Sequence, residues 1–188
     1  MSPETPSALK AYLRKMRGTT RGSPPRVSNQ EVFWSWVGGF LGIGSVAWIN
    51  QALFSGTDLT LTIGSLGASA VLVYGAVRSP LAQPRNLVGG HVISALVGVT
   101  SWQLLGGELW LAQAVAVATA IALMHLTKTL HPPGGATALI AVIGSEEIHA
   151  IGYLYVLIPA TIGPLMLLAV ALVVNNIPAT RRYPEVWM

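Results

Sequence analysis

"HPPGGATALIAVIG", His131–Gly144, decides how this chain is read. Two prolines and two glycines stand at the head of an apolar run. Within a helix interior Pro costs ~3 kcal/mol and Gly ~1 kcal/mol relative to Ala. A second stretch, "GSLGASAVLVYGAV" (Gly64–Val77), has the same design. Gly67-Ala68-Ser69-Ala70-Val71-Leu72 aligns on Gly135-Ala136-Thr137-Ala138-Leu139-Ile140. Twice, helix breakers precede a short apolar helix.

The surroundings of these stretches are apolar. Of 188 residues 52% are hydrophobic and 10% charged, and the mean hydropathy is +0.58. Soluble domains carry about 25% charged residues, so the composition predicts an all-α membrane protein. There is no Cys, hence no disulfide, thiolate metal site or Cys nucleophile. The net charge of +4 follows membrane topology and does not indicate nucleic acid.

Three regions are expected. Residues 1–30 form a basic cytoplasmic tail with Lys10, Arg14, Lys15, Arg17, Arg21 and Arg26 and no signal-peptide core. Within it, Ala8, Ala11, Tyr12, Leu13 and Met16 suit one side of a short amphipathic helix on an anionic surface. A disordered tail or an organelle transit peptide has a similar composition. Residues 31–175 form the transmembrane domain, and 176–188 a cytoplasmic C-terminal tail.

Six apolar segments fill the middle: Val32–Phe54, Leu59–Val77, Asn86–Leu105, Leu109–Leu130, His131–Gly144 and Ile151–Val174. A spanning helix needs about 20 residues for ~30 Å of hydrocarbon. The first, third, fourth and sixth qualify as continuous helices. The fifth reaches about 30 Å if its first five residues are extended at ~3.3 Å each and the rest helical at ~1.5 Å each. The second works likewise, with "LTLTIGSLG" extended and "ASAVLVYGAV" helical. The alternative is a re-entrant loop. If all six segments cross, Arg78, Arg85, Lys128, Arg181 and Arg182 join the basic tail on the cytoplasmic side. Asp58, Glu108, Glu146, Glu147 and the loop Ser145–His149 then lie outside. The positive-inside rule favours that arrangement. The segments divide into two three-helix repeats, about 32–105 and 109–174, the second inverted, with broken half-helices in segments 2 and 5. Transporters built this way place substrate near the midplane, at the helix breaks.

The breakers then have a purpose. Half-helix starts at Gly67–Ser69 and Gly135–Thr137 present unpaired N–H groups and partial positive charge. Backbone donors at Gly67, Ala68, Gly135 and Ala136, with hydroxyls of Ser69 and Thr137, would bind a small anion. The competing reading is close helix packing through small residues. His131 either senses pH and meets the anion or caps the preceding helix. His91, inside the third helix, is an intramembrane ionisable group or a neutral His bonded to a carbonyl. Arg85 holds an entering anion or a lipid phosphate, and Lys128 lines a vestibule or snorkels to the interface. Asn86 is expected to cap the third helix. Gly38-x₃-Gly42 offers a face for close contact with a second copy, predicting a homo-oligomer, a dimer first. No carboxylate pair, metal-ligand spacing or nucleotide loop is present, so neither an enzyme nor a cofactor is expected.

"HPPGGATALIAV" (His131–Val142), "SPLAQPRNLVGGH" (Ser79–His91) and "GASAVL" (Gly67–Leu72) together resemble the HPP family of integral membrane proteins, over roughly residues 30–175. Members occur in bacteria, cyanobacteria included, and in chloroplast envelopes. The resemblance implies a multi-pass protein of a bacterial cell membrane or of that envelope. It also implies nitrite transport for the cyanobacterial and plastid type, and the family is usually described with four membrane helices. Nitrite suits a site of backbone donors without a full positive charge. A non-transporting membrane scaffold, or a carrier of another small solute, is the alternative.

Overall fold

The computed structural model of the protein describes residues 8–16, 22, 26–57 and 59–187; the readings on Arg17, Arg21 and Asp58 lie outside them. Among the described residues the regular structure is helical. A short helix, α1 (Ala8–Lys15), forms where the amphipathic pattern predicts it, with Leu9, Tyr12 and Leu13 exposed. Helix α2 (Asn29–Phe54) starts at Ser28, whose Oγ accepts from the Glu31 N–H at 3.2 Å. At 1.5 Å per residue its 26 residues reach ~39 Å. Four stretches are long and apolar enough to cross a membrane: α2, α4 (Pro84–Leu105), α5 (Leu109–Leu126) and Leu154–Val174. Two apolar helices are shorter, Gly64–Gly75 and Pro132–Ile143.

Hydrogen bonds fix where the shorter stretches begin and end. At the C-terminal end of α2, Asn50 Oδ1 accepts from the Leu61 N–H at 2.6 Å and holds the extended residues there. Helix α3 (Gly64–Ala70) follows and runs into a π-helical turn, Val71–Gly75. At the N-terminal end of α2, Arg78 donates to Thr180 O at 2.9 Å, and Arg181 is paired with Glu31 at 2.8 Å. Residues 59–78 therefore run back along α2 from one end to the other. Helix α6 (Pro132–Ile143) runs the opposite way. Its start is tied to the basic end, where Asn86 Nδ2 donates to Leu130 O at 2.9 Å. Beyond its other end, the His149 ring stacks on Trp102 near the C-terminus of α4, centroids 3.7 Å apart. Arg78, Arg85, Arg181 and Glu31 thus share one end of the bundle, and the loops carrying Glu108, Glu146 and Glu147 the other.

Several local expectations are corrected. Both half-helices begin earlier than expected, at Gly64 and Pro132. Pro132 and Pro133 are not extended; they occupy the first turn of α6, where the missing N–H costs nothing and the fixed φ suits a helix. Asn86 is not the cap of α4, which starts with Pro84 after Gln83. The sixth segment is not continuous: α7 (Glu146–Ala150) and α8 (Leu154–Leu157) precede a break before α9 (Ile162–Val174). Pro159 lacks the N–H that would bond Tyr155 O; the Ala160 N–H takes that carbonyl at 3.1 Å, and Thr161 Oγ1 donates to Val156 O, which Ala160 no longer serves, at 2.7 Å.

Glycines bring the helices together. A Cβ on Gly98 of α4 would fall 2.5 Å from Ala138 O, and one on Gly134 of α6 would fall 2.6 Å from Ser94 Oγ. The Gly38/Gly42 face is not open to a second copy. Tyr74, from the π turn, lies across it, and its hydroxyl donates to Leu167 O of α9 at 2.9 Å. Small residues at spacing four create a groove, and in this chain an aromatic of the same chain fills it.

Candidate functional site

Helices α3 and α6 meet antiparallel through their polar side chains. Ser65 and Ser69 are four residues apart on α3 and so lie on one face. Thr137 Oγ1 donates to Ser65 Oγ at 2.8 Å. Ser69 Oγ lies 2.7 Å from His91 Nε2 and 2.9 Å from His131 Nε2. His91, projecting from α4, has its Nδ1 2.6 Å from Thr137 Oγ1. His131, the residue before α6, has its Nδ1 2.8 Å from Leu81 O. All five side chains are buried. Two carbonyls back the cluster, Ser65 O at 3.1 Å from Ser69 Oγ and Pro133 O at 3.4 Å from Thr137 Oγ1. Tyr155 of α8 donates its hydroxyl to Thr137 O at 3.0 Å. The break that ends α8 thus stands against the same turn of α6.

Sequence explains why these residues converge. Gly90 of α4 and Gly134 of α6 let the two backbones approach: a Cβ on Gly90 would lie 2.5 Å from His131 Cβ, and one on Gly134 2.9 Å from Gly90 O. The next residue of α4, His91, is thereby set beside His131, with ring centroids 5.2 Å apart. The Ser79–Gln83 segment brings Leu81 O to His131. Gln83 Nε2 holds that segment, donating to Val77 O at 3.1 Å and Ser79 O at 2.8 Å.

Not every expected site residue joins. Ser69, Thr137, His91 and His131 do. Gly67 and Ala68 are exposed on the other face of α3, and Gly135 and Ala136 are half-buried on α6. By helix register these four lie past the first-turn donors, inside the hydrogen-bonded ladder, because the helices start earlier than expected. Arg85 is exposed, its guanidinium donating to Thr127 O at 2.7 Å. Lys128 is exposed too and holds φ 57°. It occupies the left-handed position that ends α5, with Thr129 N–H reaching back to Met124 O at 2.9 Å and Lys128 N–H to His125 O at 3.2 Å. The His131 ring nitrogens meet Leu81 O and Ser69 Oγ and not a carbonyl of α5, the helix before it, and His131 makes no side-chain cap to α6 either. Ser65 was missed; its spacing of four from Ser69 was the available signal. Tyr155 and Leu81 O had none, being brought in by tertiary packing.

The cluster has a definite chemistry. Its side chains are hydroxyls and imidazoles, each with at least one partner, and no buried side-chain N or O atom among the described residues lacks one. No Asp or Glu stands among the buried polar residues described, which include Ser65, Ser69, His91, His131 and Thr137. The described residues contain no group of His, Asp or Glu able to hold a metal ion. The interior is therefore polar without fixed negative charge.

The chain matches the HPP transmembrane-region family over residues 24–184, which include every member of the cluster. It is 43% identical over 179 residues to one transmembrane protein of Dictyostelium discoideum, covering 94% of this chain and 57% of that protein. It is 41% identical over 180 residues to another from the same organism, covering 94% of this chain and 63% of the relative. The chain thus spans about three fifths of the length of these relatives. No solved structure matches it. With a family match over most of its length and four helices apolar enough to span a bilayer, the chain belongs to the HPP family of integral membrane proteins.

Proposed function

We propose that this protein transports a small monovalent anion, nitrite first, through the centre of a six-crossing bundle. The observation that carries the reading is the buried Ser65–Thr137–His91–Ser69–His131 cluster, set where two apolar helices too short to span a bilayer alone run antiparallel. Polar groups inside a membrane domain are expensive and mark solute pathways. Hydroxyls and imidazoles without a buried carboxylate accommodate an anion or a neutral solute and give a cation no counter-charge. The end-to-end runs of residues 59–78 and 131–149 support six crossings, and their opposite directions support an inverted repeat. Nitrite enters from the family resemblance, and a weak-acid anion fits a site of neutral donors.

The test is uptake by proteoliposomes holding the purified full chain, with nitrate, formate and chloride as competitors. Saturable nitrite uptake, abolished in folded Thr137→Asp protein, is the expected result. A carboxylate at that position would occupy the donors and repel the ion. Wild-type nitrite flux equal to that of empty vesicles overturns the reading. That result would favour the scaffold alternative, for which the Gly98 and Gly134 contacts speak: they pack α4 on α6 tightly.

A further inference from the structure

We propose that the basic end of the bundle carries a phosphate-binding site built on Arg78, which takes the phosphate oxygens of an anionic lipid headgroup or of a soluble phosphate. The site is separate from the Ser69 cluster and does not rest on the transport reading.

A cavity of about 460 Å³ opens at that end. It is lined by Ser28 and Glu31 at the start of α2, by residues 75–79, and by Thr180 and Arg181. Residues 76–79 make a tight turn, closed by the Ser79 N–H on Ala76 O at 2.8 Å. Val77 and Arg78 are its two central residues, whose N–H groups the turn itself does not use. Among the described residues neither N–H has an acceptor. Val77 is buried, and a buried N–H without a partner is rare in a folded chain.

The side chains add to this surplus of donors. Arg78 donates from Nη2 to Thr180 O at 2.9 Å, and its Nε and Nη1 have no partner among the described residues. Ser28 Oγ accepts from the Glu31 N–H at 3.2 Å, and Ser79 Oγ from the Leu81 N–H at 3.2 Å. Neither hydroxyl gives its own hydrogen to an acceptor among the described residues. The acceptors of the lining, by contrast, are in use. Glu31 Oε2 receives Arg181 Nε at 2.8 Å, and Oε1 receives the Thr180 hydroxyl at 3.1 Å. The carbonyls of Ala76, Val77, Ser79 and Thr180 each accept a hydrogen bond. Two arginines also stand against one carboxylate. An anion supplies both the missing acceptors and the missing charge.

Size and depth favour a phosphate over a smaller ion. The cavity falls in the ~300–1,000 Å³ range of sites that hold whole small molecules. Arginine with spare donors is a preferred phosphate partner. Helix α2 is longer than the ~30 Å hydrocarbon layer. Ser28 and Glu31 precede Trp34 and Trp36, residues of the type that marks the membrane interface. The cavity therefore stands at the level of the lipid headgroups.

Thermal midpoints of the purified full chain test the site. In detergent, inorganic phosphate replaces chloride at constant ionic strength. In nanodiscs, phosphatidylcholine is compared with phosphatidylcholine containing phosphatidic acid. A rise is expected in one setting or both. Arg78→Gln should remove it, with apparent affinity lower by roughly tenfold or more, the scale of one charge-assisted hydrogen bond. Arg182→Gln should keep it, because Arg182 is exposed at the same end and does not line the cavity. Ala76→Asp places a carboxylate at an exposed position of the lining. It should abolish the rise, and it decides the matter if Arg78→Gln does not fold. A rise with phosphatidic acid alone assigns the site to a lipid headgroup, and a rise with inorganic phosphate assigns it to a soluble phosphate. No rise in either setting overturns the site. So does a rise that Ala76→Asp and Arg78→Gln leave intact, or one that Arg182→Gln removes as fully as Arg78→Gln, since diffuse charge would then suffice.

Discussion

The imidazoles of His91 and His131 stand 5.2 Å apart and share one hydroxyl, that of Ser69, at 2.7 and 2.9 Å. Three separate elements meet at that oxygen. The serine comes from α3 and the two rings from α4 and the start of α6. A single small side chain therefore couples the two shorter apolar helices to one of the long ones.

Topology is directly measurable, because the chain has no native Cys. Ser145 is exposed beyond the C-terminus of α6, and Arg182 is exposed at the basic end. Six crossings predict that Ser145→Cys labels with an impermeant maleimide in intact cells. Arg182→Cys should label only after permeabilisation. The same accessibility for both positions would rule out six crossings.

Adjacent glycines of the opening motif should behave oppositely. A Cβ on Gly134 would sit 2.6 Å from Ser94 Oγ and 2.9 Å from Gly90 O, whereas one on Gly135 meets nothing nearer than Val117 Cγ1 at 3.9 Å. Gly134→Ala should cost about 1–3 kcal/mol through overpacking. Gly135→Ala should be neutral or gain up to ~1 kcal/mol from helix propensity. Thermal midpoints in detergent compare them. Equal destabilisation would mean that α6 is packed differently from the arrangement described.

Lys128 offers a clean separation of backbone from side chain. It holds φ 57° at the end of α5 and its side chain is exposed. A non-glycine residue in that conformation costs roughly 1–2 kcal/mol. Lys128→Gly is expected to raise stability by about that amount and to leave anion uptake unchanged. A large fall in uptake with stability intact would restore Lys128 to the solute path.

The basic end depends on one ion pair. Arg181 Nε donates to Glu31 Oε2 at 2.8 Å, and its guanidinium also donates to Glu31 O, Ser35 Oγ, Asn175 Oδ1 and Tyr74 O. The Arg181 side chain is 3% exposed and that of Glu31 32%. Hydrogen bonds to charged groups contribute about 1.5–3 kcal/mol each when removed singly. Glu31→Gln should destabilise at the low end of that range, since the carboxylate is partly solvated. Arg181→Met should cost more, because several buried acceptors lose their donor. A double-mutant cycle measures the coupling, and a coupling of zero would show that the pair does not hold the C-terminal segment to α2.

Composition and periodicity alone determined that the chain is helical and belongs in a bilayer, because so few charges cannot cover a soluble surface. The one-sided arginines and lysines located the basic end, since charge placement is written in the order of residues. The recurrence of Ser69 and Thr137 at matching places named two members of the cluster, rarity inside an apolar helix named His91, and the place before two prolines named His131. What the sequence left open is where those residues point. Pro132 and Pro133 begin a helix instead of preceding one, which moved Gly135 and Ala136 out of the first turn. The Gly38/Gly42 groove receives Tyr74, a partner 36 and 32 positions away, and not a second copy. Ser65, Leu81 O and Tyr155 enter the site only by packing. A helix face is periodic and so legible locally. The partner of that face is set by which remote backbone comes close enough, and only the tertiary structure decides that.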